Sequence, residues 1–128
     1  MLVPISVGEL FDKITILEIK ALKIADGAKR SNVARELAVL RAAADESLQL
    51  SDEGLQFVEE LRRVNSLLWD VEDGIRDCER NKDFGSHFVE LARSVYHHND
   101  KRALLKKQLN ELTGSKLIEE KSYSPYDS

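Results

Sequence analysis

The feature that most constrains the fold is a seam of apolar residues whose spacing alternates between four and three positions. The seam runs for about three heptads: Phe57, Leu61, Val64, Leu68, Val71, Ile75 and Cys78. Such spacing places its members on one face of an α-helix that packs against another helix. The chain of 128 residues contains only 6 Gly and 2 Pro, which are few for the turns of a many-stranded β domain. The sequence therefore predicts an all-α fold.

Capping residues and breakers divide the chain into helices. Ser6 and Glu9 have the spacing of a capping box and begin the first helix. Gly27 suits the left-handed position after its end, and Ser86 is a candidate N-cap for the last helix. Four helices are predicted, over residues 6–26, 29–44, 51–81 and 86–113.

The links between these helices predict their arrangement. Because only about four residues join the third and fourth helices, they form an antiparallel hairpin, and each is roughly 40–45 Å long at 1.5 Å per residue. We predict an antiparallel four-helix bundle with a long C-terminal hairpin, in a single domain over residues 1–128. Residues 116–128 form a strap on the bundle as far as Tyr123, or are partly disordered. The hairpin is longer than the first two helices can cover, so apolar surface near its ends stays exposed unless a homodimer buries it.

Polar residues interrupt the apolar faces of the two long helices at one height. His98 and Arg102 break the stripe of the fourth helix, while the third carries a polar and aromatic stripe at steps of four, three and four. Antiparallel pairing about Phe84 brings the two interruptions together. The candidate ligand-binding or network residues are Asn65, Trp69, Glu72, Arg76, Tyr96, Asn99, Arg102 and Glu18.

Two interpretations of this stripe remain open. An inward Arg102 needs a carboxylate, which Glu72, Glu18 or Asp12 could supply. In one interpretation the residues form a buried polar network that sets the register between helices. In the other they line a cleft for a small anion or sugar, with Arg102 as the cation and Trp69 or Tyr96 as the stacking wall.

Several classes of function are disfavoured. The net charge of −4 argues against general electrostatic binding of nucleic acid. Adjacent His97 and His98 point about 100° apart on a helix and cannot both bind one metal, and no phosphate loop or catalytic Ser/His/Asp grouping occurs. We predict neither a metal nor a cofactor. No secretory signal or membrane-spanning stretch is visible, and the single Cys78 suits a reducing compartment, so we expect a cytoplasmic protein that does not bind a membrane.

The sequence also resembles a family of small bacterial proteins of unknown function. The opening block SVGELFDKITILEIK resembles the signature of that family, and the agreement continues through NSLLWDVEDGIRD, DFGSHFVELARSVYHHND and EEKSY. The resemblance implies a stand-alone protein associated with cell-surface polysaccharide pathways. It supplies no active site, and His97-His98 is not part of its pattern.

Two functional hypotheses follow. The first is a non-catalytic helical interaction module. We expect this module to form a homodimer, and a different protein is a possible further partner. The alternative is a binder of, or an enzyme acting on, a small anionic metabolite such as a sugar phosphate, sugar nucleotide or aromatic carboxylate. Whether the protein is an enzyme is left open by the sequence.

Overall fold

The structure is a computed structural model that describes residues 1–117, 120 and 124–126. Four α-helices make up the fold: α1 (Val7–Lys23), α2 (Gly27–Ser47), α3 (Asp52–Arg80) and α4 (Ser86–Thr113). No strand occurs in the described ranges. The all-α prediction is confirmed, and so are the antiparallel bundle and its long C-terminal hairpin of α3 and α4. No helix in these ranges is both long and apolar enough to cross a membrane.

Three helix ends lie where the sequence predicts them. The Ser6 hydroxyl accepts a hydrogen bond from the Glu9 N–H at 3.1 Å, and the Ser51 hydroxyl accepts one from the Gly54 N–H at 3.2 Å. Each satisfies an N–H group that the first helical turn leaves unpaired. Gly114 ends α4 in the left-handed conformation, with φ at 67°, as glycine can without a steric penalty.

Two predicted ends are wrong. Gly27 does not terminate α1; it is the first residue of α2. The reason is Asp26, whose carboxylate accepts hydrogen bonds from the Ala28 and Lys29 N–H groups and so begins a helix. At the start of α4, Gly85 is the N-cap and Ser86 is the first helical residue, with no side-chain capping bond.

The helix α1 lies at the centre of the arrangement. It contacts the three other helices, whereas α2, in the described part of the chain, approaches only α1 closely. Gly54 lies beside Leu112 and Gly74 beside Leu91, which shows that α3 and α4 run antiparallel. The core joins residues of all four helices: Phe11, Ile14, Leu17, Val33, Leu37, Ala44, Val58, Leu61, Val64, Leu105 and Leu109.

The far half of the hairpin, residues 71–98, lies beyond the end of α1, and no third helix of the described ranges packs beside it; we call it the distal hairpin. α1 ends at Lys23, whose Nζ lies 3.9 Å from Asp70 Oδ1, so it reaches along α3 only to this level. Within residues 71–98, all of which are described, Cys78 is the only buried side chain. The predicted mismatch between a long hairpin and short partner helices is therefore present.

The predicted strap falls largely outside the described residues. Near its start, the Ser115 hydroxyl accepts a hydrogen bond from the Val7 N–H at 3.2 Å. Near its end, the Tyr126 hydroxyl lies 3.0 Å from His97 Nδ1, and its ring packs on Tyr96 with centroids 4.9 Å apart. Tyr126 therefore contacts the outer face of α4.

Candidate functional site

The buried carboxylate of Asp12 connects three helices: α1, which carries it, and the two hairpin helices α3 and α4. The side chain projects from α1 and is 1% exposed. Asn65 Nδ2 of α3 donates to Asp12 Oδ1 at 2.9 Å, and Arg102 Nε of α4 donates to the same oxygen at 2.8 Å. A second Arg102 nitrogen pairs with Asp12 Oδ2. The contact is thus the bidentate arginine–carboxylate geometry, which fixes direction as well as charge.

Thr15 completes this network one turn along α1. Its Oγ1 accepts a hydrogen bond from Asn65 Nδ2 at 2.9 Å and donates one to the Asp12 carbonyl oxygen at 2.9 Å. In the described ranges no buried side-chain nitrogen or oxygen lacks a hydrogen-bond partner. A fully satisfied polar cluster can specify one packing arrangement of its helices, which is the register role considered from the sequence.

A second polar layer connects α1 and α4 closer to their shared end. Lys106 Nζ lies 2.8 Å from Glu9 Oε2 and 4.0 Å from Asp12 Oδ2, and its side chain is only 9% exposed. Asn110 Oδ1 accepts a hydrogen bond from the Gly8 N–H at 2.7 Å. The backbones are so close here that a Cβ on Gly8 would lie 2.4 Å from the Lys106 carbonyl oxygen. Glycine at this position is therefore a packing requirement.

The surroundings keep Asp12 ionised. Burial alone raises its pKa, but hydrogen bonds from Arg102 and Asn65 and the charges of Arg102 and Lys106 together lower the pKa below its usual value. An ionised carboxylate whose oxygens are both engaged is poorly placed to accept a substrate proton. The network thus has the properties of a structural element.

An open groove lies immediately beside the network. Its volume is about 610 Å³, and it is bounded by α1, α3 and α4. Its lining residues are Ile16, Asn65, Leu68, Trp69, Glu72, Asp73, Arg76, Asn99 and Arg102. A smaller depression of about 230 Å³ adjoins it on the side of α2 and is also lined by Arg102. The Arg102 guanidinium therefore closes the network on one side and faces two surface depressions on the other.

The structure brings six of the eight predicted site residues to this groove: Asn65, Trp69, Glu72, Arg76, Asn99 and Arg102. Glu18 lies elsewhere, on the α1 face that meets Arg62, whose Nε donates to Glu18 Oε2 at 2.9 Å. Tyr96 lies on the outer face of α4 with His97 and Tyr126. Its hydroxyl lies 3.4 Å from Arg93 Nε, and it does not line the groove.

Four groove residues form no side-chain polar interaction. Trp69, Glu72, Asp73 and Arg76 take part in no hydrogen bond or ion pair in the described part of the chain. The helical spacing of Glu72 and Arg76 favours a mutual ion pair, yet this pair is not formed. Arg102, by contrast, is paired. Of its three predicted carboxylate partners, Asp12, Glu18 and Glu72, the structure pairs it with Asp12.

The predicted site residues do not include Asp12 or Lys106. From the sequence, Asp12 is one of three possible carboxylate partners for Arg102, and Lys106 is assigned no role. The spacing of residues along α4 could have identified Lys106 as a buried polar residue. Arg102, Leu105, Lys106, Leu109 and Asn110 follow steps of three, one, three and one along α4, and four of the five are buried. Lys106 and Asn110 are thus buried beside two leucines, and buried polar side chains need buried partners.

The model of a family of unknown function, DUF6165, matches residues 1–128. The chain belongs to this family. No curated protein and no solved structure matches, so the comparisons assign no role to any residue of the groove.

The single cysteine of the chain, Cys78, lies in the distal hairpin. Burial, together with the nearby carboxylates of Asp83 and Asp77, raises the pKa of the Cys78 thiol. A raised pKa reduces the fraction of thiolate, which is the reactive form. Cys78 therefore acts as a small apolar residue of the α3 seam. Within the described ranges no cluster of His, Cys, Asp or Glu could hold a metal ion.

Proposed function

We propose that this member of the DUF6165 family is a non-catalytic helical interaction module that binds a protein partner through the distal hairpin. The observation that carries the proposal is that an apolar seam continues through residues 71–98 where no third helix covers it. A two-helix hairpin buries only the side of each seam that faces the other helix. The rest of the apolar surface is left for a partner.

The exposed apolar residues of the distal hairpin support this proposal. Phe84 is 51% exposed at the tip, and Val89 is 49% exposed one turn into α4. Aromatic and aliphatic residues of this kind form the centres of protein interfaces, where a partner removes them from water. At the opposite end, by contrast, where α1 and α2 also contribute to the core, Leu61, Leu105 and Leu109 are completely buried.

The network at Asp12 supports a non-catalytic role. Its charged groups neutralise one another, and the bidentate contact to Arg102 uses both carboxylate oxygens. The groups with the largest cost of burial thus serve to fix α1, α3 and α4 to one another. We also propose that the protein is bacterial and acts in cell-surface polysaccharide pathways, on the basis of the sequence resemblance, and that it is cytoplasmic, because a single cysteine suits a reducing compartment.

The test is site-specific photocrosslinking in the cells that make the protein. A photoreactive residue replaces Val89 in the distal hairpin or, as the matched control, Val39 on α2, which is 62% exposed. We expect a discrete adduct from position 89 and none from position 39. No adduct from position 89, or equal adducts from both positions, would overturn the proposal.

A second candidate function rests on the groove residues Trp69, Glu72, Asp73 and Arg76. Trp69 offers a stacking surface, and Arg76 offers a guanidinium with no intrachain carboxylate in the described ranges. The same groove contains the carboxylates of Glu72 and Asp73, which oppose a multiply charged sugar phosphate or sugar nucleotide. Of the predicted metabolites, an aromatic carboxylate with one ring and one negative charge is the most compatible with this combination of an indole, arginines and carboxylates.

A thermal-shift measurement tests this second candidate. A ligand at about one hundred times its dissociation constant adds roughly 2.7 kcal/mol to the stability of the folded state. We expect a benzoate or phenylpyruvate panel to raise the melting temperature of the wild type but not of Arg76→Ala. An unchanged melting temperature across the panel counts against a metabolite site.

A further inference from the structure

We infer that the partner of the distal hairpin is a second copy of this chain, packed antiparallel on the first so that Glu72 of each copy pairs with Arg76 of the other. This inference rests on the proposed function, because it names the occupant of the same surface. It is carried by the charges on the exposed face of α3, by the absence of intrachain partners for them in the described ranges and by the apolar residues beside them.

The relevant charges form a short stripe on α3. Glu72 and Arg76 lie one helical turn apart, and both line the groove beside Trp69. In the described ranges neither is engaged within the chain. Asp73 lies between them, lines the same groove and is likewise unengaged in the described ranges. The charged residues further along α3 are already engaged, since Arg80 pairs with Asp77 and Lys82 Nζ lies 3.7 Å from Glu79 Oε1. The stripe therefore offers a partner two negative charges, at positions 72 and 73, followed by one positive charge at position 76.

This order makes the stripe complementary to itself in one direction only. A two-fold axis perpendicular to α3 near Gly74 sets the α3 helices antiparallel, and it brings each Glu72 opposite the Arg76 of the other copy. Parallel packing in register would instead place Glu72 against Glu72 and Arg76 against Arg76. Like charges directly opposite each other are destabilising, whereas complementary charges set orientation and register. The charges thus select the antiparallel dimer.

The apolar surface of the face supplies the driving force. Ile16, Leu68 and Trp69 line the groove together with the charged stripe, and all three are partly exposed. An indole of this kind loses a large apolar area to a partner and is enriched at the centres of interfaces. With the axis near Gly74, each copy covers residues 71–77 of the other copy's α3, beside which α1 no longer lies.

Charge reversal combined with light scattering tests the inference. We expect the wild type to show twice the monomer mass at concentrations of about 1 to 200 μM. Glu72→Arg and Arg76→Glu should each raise the dissociation constant at least about tenfold. An equimolar mixture of the two single variants should recover the dimer, because one copy then carries arginine at both positions and the other carries glutamate at both. Glu46→Arg, an exposed charge reversal on α2, is the matched control and should leave the mass unchanged.

The outcomes separate this inference from the proposed function. A monomeric wild type overturns the second copy as the partner, while crosslinking from position 89 to another protein would keep the interaction module. A dimer that both charge reversals leave intact, or that the mixture fails to recover, overturns the antiparallel register. Circular dichroism of each variant tests whether unfolding causes the loss of the dimer. Because positions 72 and 76 are both exposed, we expect the helical signal to be unchanged.

Discussion

Arg102 binds Asp12 across 90 positions of sequence, with its Nε atom 2.8 Å from Oδ1 and a second nitrogen on Oδ2. Because Asn65 donates to the same carboxylate, a single side chain of α1 is bonded to both helices of the hairpin. The register of α1 on the hairpin therefore depends on one charged pair and one amide. This dependence has measurable consequences for stability.

Removing Arg102 should destabilise the fold strongly. Arg102→Ala leaves the Asp12 carboxylate buried with only Asn65 and the more distant Lys106 near it. Breaking a buried ion pair from one side costs about 3–5 kcal/mol, and we expect a loss near the lower end because the arginine side chain is 29% exposed. Urea denaturation measures the difference. Lys101→Ala, which removes an exposed cation of the same helix, should cost less than about 1 kcal/mol; equal losses would contradict the assignment.

Stability should fall in acid through Asp12. The pKa of Asp12 is lower in the folded state than its ordinary value of 3.8, so the folded protein binds fewer protons than the unfolded chain. This contribution is complete above the unfolded pKa and is lost as the pH falls through the folded pKa. We expect the unfolding free energy of Asp12→Asn to be lower than that of the wild type at pH 7 and to depend less on pH in the acid range. Parallel curves for the two proteins would refute the role of Asp12.

The close approach of α1 and α4 predicts a sharp difference between two glycines. Gly8→Ala forces a Cβ against the Lys106 backbone carbonyl, which cannot move without displacing α4, and we expect a loss of about 1–3 kcal/mol. Gly27→Ala is the matched control, because no atom lies within 4 Å of its added Cβ. This second change should be neutral or slightly stabilising, since alanine favours a helix. Thermal denaturation of both variants measures the contrast.

Hydrogen exchange should divide the long hairpin into two halves. Residues 71–98 bury only Cys78, whereas residues of α3 and α4 near Leu61 and Leu105 belong to the closed core. Segments with few buried contacts open at lower free energy, so amides of the distal hairpin should exchange faster than those of the closed half. Raising the protein concentration should slow exchange in the distal half selectively if a second copy covers it. Uniform protection at every concentration would contradict both expectations.

Local sequence signals were sufficient for most of the fold. The seam from Phe57 to Cys78 predicts one long helix, and the short link before Ser86 predicts the antiparallel hairpin, because both depend only on spacing and chain length. The same pairing placed Asn65 level with Arg102, and both residues bond to Asp12. The signal failed at Asp26-Gly27, since an aspartate beside a glycine can end one helix or begin the next, and the side chain of Asp26 decides between them.

By itself, the sequence determined the helices, the long hairpin and the meeting of polar residues at one height, because periodicity and loop length act along the chain. Only the tertiary structure decided which carboxylate pairs with Arg102, since Asp12, Glu18 and Glu72 carry the same charge and differ in how α1 rotates and crosses the hairpin. The tertiary structure also places Glu18 and Tyr96 outside the groove, and it leaves Glu72 and Arg76 without a mutual ion pair. Those outcomes depend on the angles and contacts between helices, which neither periodicity nor charge counting contains.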